Sequence, residues 1–376
     1  MSTTSARFVA ITSSLAIVVT ASFGQSLRVA AWNISNYSGG RGADIGNAVY
    51  GSFEGRSFSP DVIIGQEINS ASAASTFVSI LNSAVGSPGD WAASFDTTIA
   101  LGGSGSANDA VLFYRSSKVS LLGSPINVNP AGSIGSGSNQ APRAAYRWDV
   151  KILRNADTNE VLAIYGNHLK AGDTSTDKAR RGVTADAIRN DANALDTNYQ
   201  FLFGGDLNMQ SSNEAEYQTF VGSSSNNRGR FLDPIRTPGS WNNSSAYRFV
   251  HTQDPSGAGG MDDRFDQVLI GGGLADGVGT DYVGNSQVAY STTTWNDVNH
   301  SYRVWGNDGS SFNSSLTTTG NSMVGSSIAQ SLINTSTTAG GHLPVFLDLK
   351  YAVVPEPASM MILGVGLAAI LRRRRR

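Results

Sequence analysis

The stretch FLFGGDLNMQ, residues 201–210, runs apolar and aromatic side chains straight into Gly-Gly-Asp-x-Asn. It reads as a buried strand that delivers Asp206 and Asn208 to a loop. Side chains two residues apart on a strand project to the same side, so a carboxylate and a carboxamide at this spacing can serve one site. An Asp-x-Asn pair at a strand end suits a hard cation beside a phosphate oxygen.

Working outward, short apolar runs recur between polar or Gly-rich connectors at residues 27–32, 62–64, 110–114, 146–153, 161–165, 268–270 and 345–349. These read as further strands. Helical segments fall best at 70–83 and 176–195. In the latter, Ala179, Val183, Ala187, Ile188 and Leu195 follow a helical stripe loosely. Strands clearly outnumber helices, and this favours two packed sheets with helices outside over a strictly alternating doubly wound sheet. Residues 102–108 and 127–139 are Gly/Ser/Asn-rich connectors. Residues 271–340 form a Gly/Ser/Thr-rich insertion with aromatic islands, as at 302–305, and ornament the same domain. No fixed repeat indicates a solenoid.

Several strands end in the same kind of residue. The run at 27–32 ends at Asn33, and 62–64 leads to Gln66 and Glu67. The run at 161–165 leads to Asn167, His168 and Lys170; the run at 265–270 carries Asp266; Gly341-His342-Leu343-Pro344 precedes the last. Polar residues gathered at strand ends from distant parts of a chain are how a two-sheet scaffold builds a site on its loop edge. The segments RVAAWNISNY, DVIIGQE, YGNHLKAG, GGDLN, RFDQVLI and GHLPV, in this order and approximate spacing, resemble the endonuclease/exonuclease/phosphatase superfamily. The likeness covers nearly all of residues 27–350.

That resemblance implies a four-layer α/β sandwich with two packed mixed β-sheets flanked by helices, as in deoxyribonucleases. It implies a Mg²⁺- or Mn²⁺-dependent phosphodiesterase in which Glu67, with Asn33 beside it, holds the metal. Asp206 and Asn208 match the pair that positions the attacking water and the scissile phosphate. His168 matches a phosphate-contacting histidine, His342 the essential histidine, and Asp266 the carboxylate that holds it. Arg143 matches a phosphate-contacting arginine, with Arg147 competing for the role. The family places an aspartate directly before the last histidine, where this chain has Gly341. The departure bears on metal affinity and activity; Asp262 and Asp263 lie near Asp266 in sequence.

The chemistry is consistent with the residue types. Water attacks a phosphodiester in line, a divalent ion neutralises the phosphate oxygens, and a histidine buttressed by a carboxylate manages the proton. Charge stabilisation and positioning carry most of such a reaction. No Rossmann fingerprint or Walker A loop occurs. Lys170 reads as a surface charge, His251 and His300 as solvated loop residues, and Trp32, Trp148 and Trp241 as packing residues. The mixed charges at 177–189 read as a solvated helix face.

The two ends suggest where the chain goes. Residues 1–24 carry one charge, Arg7, and an apolar run at 8–21, with a small-x-small site at 22–24. This reads as a secretory signal peptide, a buried core helix being the alternative. At the other end VPEPAS, an apolar stretch at 360–371 and Arg372–Arg376 resemble the PEP-CTERM sorting tail of Gram-negative bacteria. The resemblance implies processing by a dedicated sorting peptidase and delivery to the cell surface or extracellular matrix. An ordinary membrane anchor is the alternative, although the apolar run falls short of the ~20 residues that span a bilayer. Either reading keeps the arginines inside and places residues 25–353 outside the cytoplasm as the main domain.

Without Arg7 and Arg372–Arg376 the 27 basic residues become 21, and without Glu356 the 29 acidic ones become 28, a net charge of −7. Tight sequence-independent binding to a polyanion is not the evident design of such a chain. With no cysteine, an exported protein depends on its core alone. The substrate is expected to be a phosphodiester, with extracellular DNA a candidate and no obligate protein partner evident. A sphingomyelinase-like or small-molecule phosphoesterase is the alternative enzyme. A catalytically impaired matrix or binding protein of the same fold is the alternative outside enzymology.

Overall fold

The computed structural model describes residues 25–96, 110–257, 259–336 and 341–354. The leader, the sorting tail and the Gly/Ser-rich stretch at 102–108 lie outside the described residues. Two mixed sheets form the centre. One runs in the order Asp281–Tyr282, Val345–Tyr351, Gln25–Tyr37, Val62–Ile68, Val111–Arg115, Trp91–Ser94, with Arg303–Val304 also paired to Val345–Tyr351. The other runs Phe231–Leu232, Asp266–Gly271, Tyr199–Asp206, Val161–His168, Tyr146–Ile152, Val119–Leu121, with Ile126–Asn127 also paired to Tyr146–Ile152. Each sheet has one parallel pair at its heart, Gln25–Tyr37 with Val62–Ile68 and Val161–His168 with Tyr199–Asp206, and antiparallel neighbours around it.

Side-chain parity explains the layering. In Val161–His168 and Tyr199–Asp206 the residues Ala163, Tyr165, Phe201 and Phe203 join Ala185, Ile188, Ala192 and Phe220 in a core beneath helices Ser175–Ala194 and Ala215–Val221. Their neighbours Leu162, Ile164 and Leu202 instead enter the core shared with the first sheet. That core continues to Ile45, Phe77, Leu81, Ile328 and Leu332 on helices Gly42–Tyr50, Ala71–Ser83 and Gly325–Thr335. The result is the expected four-layer sandwich, helix, sheet, sheet, helix, with alternate strand residues assigned to alternate cores.

Of the glycine pair of the opening stretch, Gly204 sets how closely the two sheets approach, while Gly205 is closed in by the neighbouring strand of its own sheet. A Cβ on Gly204 would lie 2.4 Å from Ile64 Cδ1 of the facing sheet, and one on Gly205 would lie 2.0 Å from the Asn167 carbonyl oxygen. Neither position accepts a side chain without movement. The helices begin where local chemistry favours it. The Ser70 hydroxyl accepts the Ala73 amide, and Thr174 with Asp177 forms a reciprocal capping box.

The structure corrects three local expectations. The described part of the insertion at 271–340, residues 271–336, is built into the fold: it adds the strands Asp281–Tyr282 and Arg303–Val304 and the helix Gly325–Thr335, and it buries Tyr302, Trp305 and Met323 in the core. Its aromatic residues are spaced without a period, so sequence patterning could not place them. His251 and His300 are buried: His251 lies between the Trp241 and Met261 carbonyls, and His300 stacks between Tyr282 and Tyr290. Arg181 and Arg189, on the helix read as solvated, are buried: Arg181 is held by loop carbonyls and two glutamates, and Arg189 donates through Nη1 and Nη2 to backbone carbonyls while its buried Nε has no hydrogen-bond partner. Trp32, Trp148 and Trp241 are core residues as expected.

Candidate active site

The same parity that packs the sheets gathers the site. His168, Asp206 and Asp266 lie on one rung across three adjacent strands, His168 paired to Asp206 and Asp206 to Asp266. All three continue the alternate set that faces the other sheet. From that sheet Asn33 follows Val29 and Ala31 on the same side of its strand. Glu67, by simple alternation, would turn the other way. Its backbone adopts a left-handed φ of 60°, an uncommon state for a non-glycine residue. The reversal brings Glu67 Oε1 to 3.1 Å from Asn33 Nδ2, while Oε2 accepts the Asn36 amide at 2.6 Å.

Asp206 is the hub. Its Oδ2 lies 3.1 Å from Asn33 Nδ2, 3.5 Å from His168 Nε2 and 3.6 Å from His342 Nε2. Its Oδ1 accepts the Asn208 amide at 2.9 Å. Asn208 takes a left-handed φ of 50°, which asparagine tolerates, and its side chain donates to the Leu169 carbonyl at 3.2 Å. His342 arrives on the loop before Val345–Tyr351, and its Nδ1 sits 2.6 Å from Asp266 Oδ2. His168 Nδ1 and Asp266 Oδ1 are buried and have no hydrogen-bond partner.

Burial and mutual charge set the protonation states. Burial raises the Asp206 carboxyl to about 7; the neighbouring His342 opposes this, and Asp266 and Glu67 reinforce it. Burial alone would discharge His342, but the carboxylates of Asp266 and Asp206 outweigh it and push the imidazole up to about 10. His168 goes the other way: burial, then Arg143, His342 and Lys170, hold it well below the usual histidine range. The site therefore pairs a charged histidine with a neutral one on either side of one carboxylate.

The donor set fits a hard cation. The oxygens of Glu67 and Asp206 converge on the single Asn33 Nδ2, whose partial positive charge lies where two carboxylates would otherwise repel. Ligand atoms of Asp206, Asp266 and His342 also lie within 4.8 Å of one another. That trio reads as an ion-paired dyad facing a carboxylate, because His342 Nδ1 already occupies Asp266 Oδ2 at bonding distance.

Of the two candidate arginines, Arg143 reaches the site, donating to the His168 and Leu169 carbonyls at 2.9 and 3.2 Å. Arg147 is held on its own strand by Asp149 and Asp191. Lys170 pairs with Asp177 at 2.9 Å on the rim. One residue carried no sequence signal: Arg41, in a polar loop, donates to the Ile34 and Ser35 carbonyls and to Thr335, tying the loop after Asn33 to the end of helix Gly325–Thr335. Gly341 proves sterically constrained, since a Cβ there would lie 1.4 Å from Ser336 Oγ. Asp263 lies one bridge away from His342, both pairing with Gln253, and its carboxylate accepts Asn242 at 2.9 Å. Burial raises it to about 6.

Residues 353–376 match the PEP-CTERM protein-sorting motif. The motif begins at the end of the described chain, and no helix among the described residues is long and apolar enough to cross a membrane. No curated protein sequence matches the chain. Among solved structures it is similar to the human Nocturnin catalytic domain with bound sulfate (12% identity, 87% of this chain and 94% of that one, TM-score 0.48). It is also similar to a humanized TDP2 from D. rerio (14% identity, 86% and 98%, TM-score 0.47). A third is an endonuclease/exonuclease/phosphatase family protein from Bacteroides thetaiotaomicron (14% identity, 88% and 97%, TM-score 0.47).

Proposed function

We propose that the chain is an exported, Mg²⁺- or Mn²⁺-dependent phosphodiesterase that hydrolyses DNA or another phosphodiester in the manner of an endonuclease. The observation that carries this reading is the convergence of Asn33, His168 and His342 on one Asp206 oxygen, with Glu67 alongside and Asp266 behind His342. Glu67 would hold the metal, which would supply positive charge to the non-bridging phosphate oxygens. Asn33 would join it once its amide turns over, because here its NH2 faces the two carboxylates and its oxygen accepts the Ser35 amide at 3.0 Å.

On this reading Asp206 and Asn208 orient the attacking water. A carboxyl held near neutrality by burial is suited to take its proton. Asp266 fixes the His342 ring by its Nδ1 and keeps a proton on Nε2, facing the reacting group. His168, kept uncharged, has a buried Nδ1 that makes no hydrogen bond and lies 3.7 Å from Glu67 Oε1; a phosphate oxygen would satisfy it in the tautomer protonated there. Arg143 presents a cation from the neighbouring loop. The sorting motif supports export, processing by a sorting peptidase and a place at the cell surface or matrix, where extracellular DNA is a candidate substrate.

A lipid substrate has less support, because among the described residues none of the exposed large apolar side chains, of which Val85 and Val298 are the most exposed, belongs to a site-bearing loop. The filled space at Gly341 favours the second reading, a catalytically impaired binding protein. Residues 25–353 would be assayed on plasmid DNA and bis(p-nitrophenyl) phosphate with Mg²⁺, Mn²⁺ or EDTA, beside Glu67→Ala and His342→Ala. Metal-dependent cleavage lost in both variants supports the enzyme. A folded protein inert with each metal supports the binding role.

A further inference from the structure

One guanidinium ties together the two loops that carry the site's polar residues. Arg181 lies on helix Ser175–Ala194 with 1% of its surface exposed, and each of its three guanidinium nitrogens donates a hydrogen bond. Nη1 donates to the Lys170 and Gly172 carbonyls at 3.0 and 2.6 Å, in the loop that begins directly after His168. Nε donates to Glu216 at 2.9 Å, and Nη2 reaches Glu214 at 2.8 Å and Glu216 at 2.9 Å. The other Glu214 oxygen accepts the amides of Gln210 at 2.6 Å and Ser211 at 3.2 Å, in the loop that begins directly after Asp206 and carries Asn208. The connection therefore runs unbroken from the backbone two residues past His168, through Arg181 and Glu214, to the backbone two residues past Asn208.

The strands themselves fix little beyond their last rung. Leu169 N still bonds Asp206 O at 2.9 Å, and Asn208 Nδ2 reaches Leu169 O at 3.2 Å. After that the two loops have no direct backbone pairing to each other. Two carboxylates on one buried arginine also exceed what ion pairing alone needs. Burial raises Glu216, and the nearby Glu214 adds to this. A planar fork with five fixed donors is the one side chain that can hold two carbonyls and two carboxylates in a single plane; an ammonium cannot replace it in kind.

We infer that Arg181 is a positioning residue: acting through Glu214, it sets the separation of the His168 and Asn208 loops and touches no substrate itself. The inference rests on the phosphodiesterase reading of the site. If the loops part by even 1 Å, Asn208 and His168 no longer address the same phosphate, and errors of that size cost on the order of 10²-fold in rate.

The test compares wild type, Arg181→Lys and Glu214→Gln in residues 25–353, with two readouts. The first is kcat and KM for bis(p-nitrophenyl) phosphate with Mn²⁺, at a temperature where all three are folded by circular dichroism. Expected is a fall in kcat of roughly 10- to 100-fold with KM within about twofold. The second is histidine-selective ¹⁵N NMR, which is tractable because the chain has four histidines. Expected are shifts in the His168 ring signals with those of His300 unchanged. Folded variants with wild-type kcat and unmoved His168 signals overturn the inference. If wild type itself is inert the functional reading fails, and the NMR comparison alone still decides whether Arg181 positions the loop.

Discussion

Substituting Gly341 tests the site's most unusual feature. A Cβ at this position would lie 1.4 Å from Ser336 Oγ, 2.6 Å from Ser336 Cβ and 3.1 Å from Ser336 Cα. Rotating the serine hydroxyl away removes the first overlap and leaves the second, so the backbone must shift. Ser336 is 2% exposed and directly follows helix Gly325–Thr335, leaving it little freedom to yield. Overpacking of this kind costs about 1–3 kcal/mol. Gly341→Ala should therefore lower the unfolding free energy by that amount, read as a lower urea midpoint at unchanged slope. Removing Ser336 Oγ and Cβ together should relieve the clash, so Ser336→Gly/Gly341→Ala should be more stable than the sum of the single effects by about 1 kcal/mol or more. The same geometry predicts that Gly341→Asp, which restores the residue the superfamily resemblance leads one to expect, loses activity unless Ser336 is also reduced to glycine. Gly341→Ala with wild-type stability, or a double mutant showing no coupling, would refute the claim that Ser336 fills this space.

Three further outcomes follow from the site and core. His251 is held near 4 by burial, against an unfolded value near 6.5, so the unfolded chain binds the extra proton between those pH values and stability falls as pH drops from 6.5 to 4. Across that window the loss amounts to about 3 kcal/mol. Asp263, raised to about 6, acts in the opposite sense between 3.8 and 6, so the quantity to measure is the difference in urea stability between wild type and His251→Gln at pH 7 and pH 4.5; an equal pH slope in both counts against the argument. Asp266→Asn removes the anion 2.6 Å from His342 Nδ1 and should cut kcat by roughly 10²- to 10⁴-fold with KM little changed; a loss under threefold would show that His342 needs no carboxylate. Mn²⁺ at 100 times its dissociation constant should stabilise wild type by about 2.7 kcal/mol in thermal melts, and Glu67→Gln should abolish most of that gain; equal stabilisation of both proteins places the metal elsewhere.

Strand ends announced the parts of the site that follow from alternation. Asp206, His168 and Asn33 continue apolar runs whose parity is visible in the sequence, and the structure places them where that parity points. Glu67 was visible as a residue but not as a geometry, because nothing in DVIIGQE encodes the left-handed turn that reverses its direction. Arg181, Arg41 and His251 were hidden for a different reason. Arg181 and His251 are buried and Arg41 is half-buried, each by partners outside its own local pattern: Glu214 and Glu216 for Arg181, Thr335 for Arg41, and the Trp241 and Met261 carbonyls for His251. Local pattern reads such residues as solvated, since a charge is rarely buried unless paired and the pair is not visible along the chain. The constraint at Gly341 is likewise a distance between two residues, not a property of either.

Packing and chemistry are not separable at the centre of this molecule. Asn33 and Asp206 come from different sheets, yet Asn33 Nδ2 must reach both Glu67 and Asp206 at 3.1 Å. That reach depends on how closely the sheets lie two residues earlier, where Gly204 faces Ile64 with no room for a Cβ and Gly166 leaves only 2.7 Å to the same side chain. A larger residue at 204 would have to lever the sheets apart or displace Ile64, and the widening would be felt at Asp206, two residues along the same face. Gly204, two residues before the aspartate, thus belongs to the site as much as the aspartate does: it fixes the distance across which two carboxylates share one amide.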